Sequence, residues 1–233
     1  MRKIVLIGGG DTRIETYDTK EIDEKIVALT NKTNPNLLFI GFANDYAESY
    51  YDSIKTIFKK LGCKTSHLKK KNCINNKELV AEKMSQADII YIGGGDTIKL
   101  LETIKEYNLD TKIKEAINRG CVLAGISAGA IALCKEGYSD SKIIRHESDK
   151  HSFVKGLNIV NISICPHYEL DNEKAKELDT DIDTKEVYGI QNNTAIVIEN
   201  NQTSIIKSNA KKNIYLINKK VKKIIGSGGE INV

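Results

Sequence analysis

Arginine is scarce. Four arginines stand among the 35 basic residues, the net charge of +4 is spread through a Lys- and Asn-rich background, and no arginine-aromatic patch forms. That pattern argues against a nucleic-acid-binding surface and reads as a solvated exterior. Cysteine is sparse and unpaired in sequence. Cys63, Cys73, Cys121, Cys134 and Cys165 form no C-x-x-C unit, and three of them sit inside apolar elements, where a thiol behaves as a small hydrophobe. A reducing compartment suits them. Nowhere do about 18 apolar residues run together, and Met1-Arg-Lys precedes only the short run Ile4 to Ile7, too brief for a signal peptide. The expectation is a soluble, cytoplasmic protein with neither a nucleic-acid nor a membrane partner. No linker or low-complexity tract interrupts the chain. With 40% hydrophobic content, its 233 residues can bury one substantial core, read as a single domain over residues 1–233.

What is present alternates between apolar runs and helical spacing. Lys3 to Ile7, Leu37 to Phe42, Asp88 to Ile92 and the run from Cys121 read as strands, with Cys63 to Leu68 a weaker one. Glu21 to Leu29, Tyr50 to Leu61, Lys77 to Gln86, Ile98 to Tyr107 and Thr111 to Arg119 show helical periodicity between them. Such alternation predicts an α/β fold with a doubly wound, mainly parallel sheet. Lys135 to Ser141 reads as a turn-rich stretch, and Arg145 to His151 as a charged surface loop near the site. Leu157 to Cys165 reads as a strand, and Glu169 to Leu178 as a solvated helix. From Glu186 onward, Asn200-Asn201 and Asn218-Lys219 mark two hairpins, so an antiparallel edge is expected beside the parallel core.

The stretch Cys121 to Leu133 contains Gly125-Ile-Ser127-Ala-Gly129, a G-x-S-x-G pattern between an apolar strand and an Ala-rich helix. In a nucleophile elbow the serine occupies a sharp, strained turn, and the flanking glycines avoid collisions with neighbouring backbone. Ser127 is therefore the candidate nucleophile, and Ala128 N–H a natural oxyanion donor. Gly-Gly-Gly-Asp-Thr occurs at 8–12 and again at 93–97, each time after a predicted strand, so both loops belong on the rim that carries Ser127. A dinucleotide fingerprint would need glycine at 13 or 98, where the chain has Arg13 and Ile98. Gly93 to Gly95 suits a loop whose N–H groups approach a reacting atom, whereas Gly8 to Gly10 reads more simply as a tight turn.

A serine needs a base. Of His67, His146, His151 and His167, only His167 directly follows a strand, with Pro166 fixing its approach. His67 reads as a surface or half-buried side chain, and His146 and His151 as parts of a charged loop rather than metal ligands. The third member is expected to be an acid that accepts His167 Nδ1–H and holds the useful tautomer. Asp140, Glu147 and Asp149 lie between serine and histidine, and the Ser-Asp-Ser turn favours Asp140 modestly.

Gly93-Gly-Gly95-Asp96-Thr97, Gly125-Ile-Ser127-Ala-Gly129-Ala130 and Pro166-His167-Tyr168, in that order, resemble the serine peptidases of the peptidase E and cyanophycinase family, over roughly residues 37 to 170. The resemblance implies Ser127 as nucleophile, His167 as base, an intervening acid, here Asp140, and an oxyanion hole from Gly95 and Ala128. It also implies the fold shared with class I glutamine amidotransferase domains. Where that family would supply an arginine for a substrate aspartate, this chain offers Lys174 and Lys176 instead. Arginine and lysine do not replace one another at a bidentate carboxylate site, so the reaction class carries over and aspartyl specificity does not follow.

The expected reaction is hydrolysis of a short peptide's amide bond, with no cofactor and no metal, and with a small peptide as partner. A homodimer is compatible with the sequence. An α/β esterase shares the order of serine, acid and histidine but usually places its acid and histidine far from the elbow. A glutamine amidotransferase would need cysteine at position 127. A non-catalytic protein keeping the crevice is the alternative from another class.

Overall fold

The computed structural model describes residues 2–183, 185–219, 221–225 and 231. In chain order the first half runs β1 (Lys3–Ile7), α1 (Lys20–Ala28), β2 (Asn36–Ile40), α2 (Ala47–Lys60), β3 (Lys64–Leu68), α3 (Lys70–Asn75), α4 (Lys77–Gln86), β4 (Ile89–Ile92), α5 (Thr97–Glu106), α6 (Leu109–Asn118), β5 (Val122–Ile126) and α7 (Ala128–Leu133). The second half runs β6 (Cys134–Ser139), α8 (Ser141–Ile144), β7 (Ser152–Lys155), β8 (Val160–Pro166), α9 (Glu173–Asp181), β9 (Val187–Ile190), β10 (Thr194–Glu199), β11 (Gln202–Lys207), β12 (Ile214–Ile217) and β13 (Lys222–Ile225).

The first sheet has the order β11-β10-β1-β5-β4-β2-β3. Its five strands β1 to β5 are parallel, and the hairpin β10–β11 closes one edge antiparallel to β1. Continuous apolar strands are what a sheet covered on both faces requires. Accordingly Ile4 to Ile7, Leu37 to Ile40, Ile89 to Ile92 and Val122 to Ala124 are all buried. Alternate residues of each strand feed opposite layers: Ile4 and Leu6 join one core cluster, Val5 and Ile7 the other.

The α/β class, the mainly parallel sheet and the antiparallel hairpins match the sequence pattern. The second sheet does not follow from it. It has the order β13-β12-β9-β8-β6-β7, with β6, β8 and β9 parallel. Cys134–Ser139, expected as a turn-rich stretch, is the strand β6. Its charged Lys135 and Glu136 lie toward the outside while Tyr138 and Ser139 are buried, so its turn-like composition hides a half-covered strand.

The two sheets meet at the end of β1. Three successive carbonyls there accept backbone N–H groups from three parts of the chain: Ile7 from Ser127, Gly8 from His167 and Gly9 from Asn193, each at 2.9 Å. Gly8 N–H in turn donates to Thr194 O at 3.0 Å. Parallel strands place their carboxyl ends on one rim, and this junction brings the rim of the second sheet up to that of the first.

Candidate active site

Ser127 closes β5 and precedes α7, with φ 54° and ψ −113°, a conformation that a non-glycine residue holds only when its surroundings impose it. The imposition is visible. Ser127 N–H is tied to Ile7 O, and Gly125 and Gly129 pack backbone on backbone, since a Cβ on Gly125 would lie 2.4 Å from Gly129 O. His167 closes β8, also at positive φ (54°), with its N–H tied to Gly8 O. The two side chains meet: Ser127 Oγ and His167 Nε2 are 2.8 Å apart, the hydroxyl donating when the ring is neutral with its proton on Nδ1.

Asp140, expected at the other ring nitrogen, does not occupy that position. His167 Nδ1 is 2.7 Å from Asn192 Oδ1. Asp140 instead follows β6 as the residue that starts α8, and it reaches the imidazole only as a through-space charge. Glu147 follows α8 in the chain and lies 3.7 Å from Arg145 Nε. Asn192 falls in the turn between β9 and β10, 25 residues beyond His167. The available signal was Gln191-Asn192-Asn193 at the carboxyl end of a strand parallel to β8.

The first triple-glycine loop also belongs to the site. A Cβ on Gly9 would lie 2.2 Å from Asn192 Oδ1 and 2.4 Å from His167 Nδ1, so only glycine lets this loop run beneath the ring. The second loop passes on the serine side: a Cβ on Gly94 would lie 3.3 Å from Ser127 Cβ. Gly95, at φ 132°, sits where a side chain would be strained and would strike Ala43 O at 2.4 Å. Asp96 holds the loop's exit by accepting from Ile98 N–H and Lys99 N–H at the start of α5. The main chain beside Ser127 is thus that of Gly94, with Gly95 next in the loop, and Ala128 follows the serine directly.

Burial is the main influence on the imidazole and holds its pKa below the usual histidine value. The charge of Lys174 pushes the same way, whereas the hydrogen bond to Asn192 and the charges of Asp140 and Glu169 oppose it. A neutral imidazole with a free Nε2 can accept the serine proton. Lys174 is buried in α9, while Lys176 is exposed.

The other histidines stand apart. His67, expected as a surface or half-buried side chain, is buried and stacks on Tyr51 with ring centroids 4.8 Å apart. It lines a cavity of about 370 Å³ with Asn44, Lys70, Lys71 and Lys99, which includes neither Ser127 nor His167. His151 pairs through Nδ1 with Glu177 Oε2 at 2.8 Å, and His146 lies in the charged segment after α8. All five cysteines are free and buried. No helix among the described residues is long and apolar enough to cross a membrane.

A half-buried hydroxyl–imidazole pair on the carboxyl rim of a parallel sheet, beside unobstructed main-chain loops, is the arrangement of a serine-type hydrolase. The comparisons with known proteins narrow that class. The model of peptidase family S51 matches residues 4–206, so the chain belongs to that family. The uncharacterized peptidase YgaJ of Bacillus subtilis is 33% identical over 174 residues, 75% of this chain and 72% of its own length. The protein named peptidase E of Nostoc sp. is 25% identical over 172 residues, covering 72% of this chain and 66% of the relative. The crystal structure of a peptidase from an acI-B1 actinobacterium has the same fold, with a TM-score of 0.76 over 100% of this chain and 97% of its own, at 22% identity. The chain is thus an enzyme, a serine-type peptidase of the peptidase E kind, and the esterase and non-catalytic readings fall away.

Proposed function

We propose that this enzyme hydrolyses the amide bond of short peptides by acyl transfer through Ser127. The contact between Ser127 Oγ and His167 Nε2 at 2.8 Å is the observation that carries this reading. Ser127 Oγ attacks the scissile carbonyl carbon while its proton passes to Nε2. The carbonyl oxygen becomes an oxyanion facing the N–H groups of Gly95 and Ala128. Collapse of the tetrahedral intermediate breaks the C–N bond, and the imidazolium gives its proton to the departing amine. Water then repeats the sequence on the acyl-enzyme, with His167 as base, and releases the acid. The strained turn at Ser127 supports this role, because it presents Oγ ahead of the sheet edge without rearrangement.

The buried cation of Lys174, close enough to influence His167, supports an acidic residue on the substrate, as in Asp-X or Glu-X dipeptides. Five free, buried thiols support a cytoplasmic setting. The test is a dipeptide library that includes Asp-X and Glu-X members, assayed with the wild type and with Ser127→Ala. The expected result is cleavage by the wild type and a loss of at least about 10³-fold in the variant. Cleavage that survives the substitution would end this reading.

A further inference from the structure

The second triple-glycine loop has no side chain of its own between Gly93 and Gly95 to hold it in place, and its exit is held by a hydroxyl from the other sheet. We propose that Ser141, the residue that opens α8, is a positioning residue for the oxyanion loop, fixing the main chain of residues 93–98 relative to Ser127. The inference rests on the peptidase reading of the same site and extends it to a residue outside the reacting groups.

The hydrogen bonds carry the proposal. On the first sheet the loop is tied by main chain, Gly93 N–H donating to Ile40 O and Asp96 N–H to Ala43 O, each at 2.9 Å. Beyond Asp96 the N–H groups that open α5 turn to side chains. Thr97 N–H donates to Ser141 Oγ at 2.8 Å, and Ile98 N–H is shared between Asp96 Oδ1 at 2.9 Å and Ser141 Oγ at 3.3 Å. A hydroxyl has two lone pairs and one proton. With both lone pairs of Ser141 Oγ facing main-chain N–H groups, its proton is left for Ser139 Oγ, 2.9 Å away. Ser139 Oγ also accepts from Ser141 N–H at 3.2 Å, so its own proton goes to Thr97 Oγ1 at 3.0 Å. The chain of donors has one direction and closes on the residue where it began. Thr97, Ser139 and Ser141 are 1%, 1% and 0% exposed, so water does not replace a bond that is lost. Arg145, directly after α8, adds a second tie, its Nε 3.5 Å from Asp96 Oδ2.

The consequence for the reaction is geometric. Ser127 follows β5 of the first sheet and His167 follows β8 of the second, so a loop tied to the first sheet alone would be set relative to only one of them. Ser141 ties that loop to the end of β6, the parallel neighbour of β8. Without its Oγ, Thr97 N–H is left buried and unpaired while Ile98 N–H keeps Asp96, and the loop relaxes from its exit back toward Gly95. Donors to an oxyanion act in the transition state and hardly at all on bound substrate, so the loss falls on kcat.

Dipeptide hydrolysis, inhibition by a peptidyl aldehyde and amide hydrogen exchange test this on the wild type, Ser141→Ala and Ser141→Cys. Ser141→Ala should lower kcat about 10²-fold with KM little changed. It should weaken the aldehyde by the same factor as kcat/KM, because the hemiacetal oxygen takes the place of the oxyanion. The amides of residues 94–98 should lose protection from exchange. Ser141→Cys, similar in size and a weaker acceptor, should fall between the two in all three readings, and it carries the test with a smaller loss should Ser141→Ala not fold. Unaltered kcat and protection in the variants, a loss that lies wholly in KM, or an aldehyde affinity that holds while kcat falls would each overturn the proposal. Exchange reads the loop without any turnover, so failure of this role and failure of the peptidase reading give different results.

Discussion

The backbone N–H of His167 donates to the carbonyl of Gly8 at 2.9 Å, so the imidazole of the candidate site is hung from the end of β1, a strand of the other sheet. Ser127 hangs from the preceding carbonyl of the same strand. The relation between hydroxyl and imidazole is therefore set by two adjacent peptide groups, which leaves little freedom for the 2.8 Å contact to drift. The loop that follows, from Gly9 onward, is as much part of the site as the serine turn.

That placement makes Gly9 a sharp test. A methyl group there would lie 2.4 Å from His167 Nδ1 and 2.2 Å from Asn192 Oδ1, so Gly9→Ala must displace the ring, the amide or the loop. Displacements of about 1 Å in a catalytic group cost on the order of 10²-fold. The expected outcome is a fall in kcat of that size or more in a protein that still folds, checked by dipeptide hydrolysis alongside circular dichroism. A fully active Gly9→Ala enzyme would mean that the loop does not support the ring.

The pH dependence follows from the sign of the shift at His167. Burial first and Lys174 second hold the imidazole below its ordinary pKa of about 6.5. A base works unprotonated, so activity is lost as pH falls through that lowered pKa, and the acidic limb of kcat/KM should lie below pH about 6.5. Lys174→Met removes one of the two depressing influences, and its acidic limb should move to higher pH. It should also raise KM for Asp-X more than for Ala-X substrates. Identical pH profiles and KM ratios for the two enzymes would contradict both roles of the lysine.

Asp23, which touches neither Ser127 nor His167, should govern stability with pH. It is buried, accepts hydrogen bonds from Tyr17 OH and Thr19 Oγ1 at 2.9 Å, and burial pushes its carboxyl up to about 7. Between the unfolded value of about 3.9 and the folded one, the folded protein holds more protons, so this group's contribution to stability declines as pH rises across that window. Asp23→Asn keeps an acceptor and removes the titration. Its Tm should match the wild type near pH 4 and exceed it at pH 8, as thermal unfolding followed by circular dichroism would show. A Tm difference independent of pH would rule this out.

How much of this was legible in the sequence depends on whether the signal was local. The serine turn was, because an apolar run, two glycines and an Ala-rich helix all lie within Cys121 to Leu133. His167 was legible because Pro166-His167 ends a strand, and a parallel strand end lies on the rim whichever sheet carries it. Asn192 was not. Its position depends on β9 pairing with β8 and on Asn193 reaching Gly9, contacts between segments far apart in the chain. Asp140 stands out among the acids between serine and histidine, whereas the partner of His167 Nδ1 is an amide that lies beyond the histidine in the chain. Gly8 to Gly10 looked like an ordinary turn for the same reason: the atoms that forbid a side chain at Gly9 belong to His167 and Asn192. The strand β6 was hidden by its charged outward residues and by Gly137, whose absent side chain makes room for Ile131.

The account's central claim is that Ser127 Oγ is the nucleophile and His167 activates it. Its most direct test is covalent labelling with a dipeptidyl diphenyl phosphonate, followed by mass spectrometry of the proteolytic fragment containing residue 127. One adduct per chain on Ser127 is expected in the wild type at neutral pH, with labelling slowed by orders of magnitude in His167→Ala and no adduct in Ser127→Ala. A folded, peptide-cleaving enzyme that carries its adduct on another residue, or that labels equally well without His167, would contradict the claim.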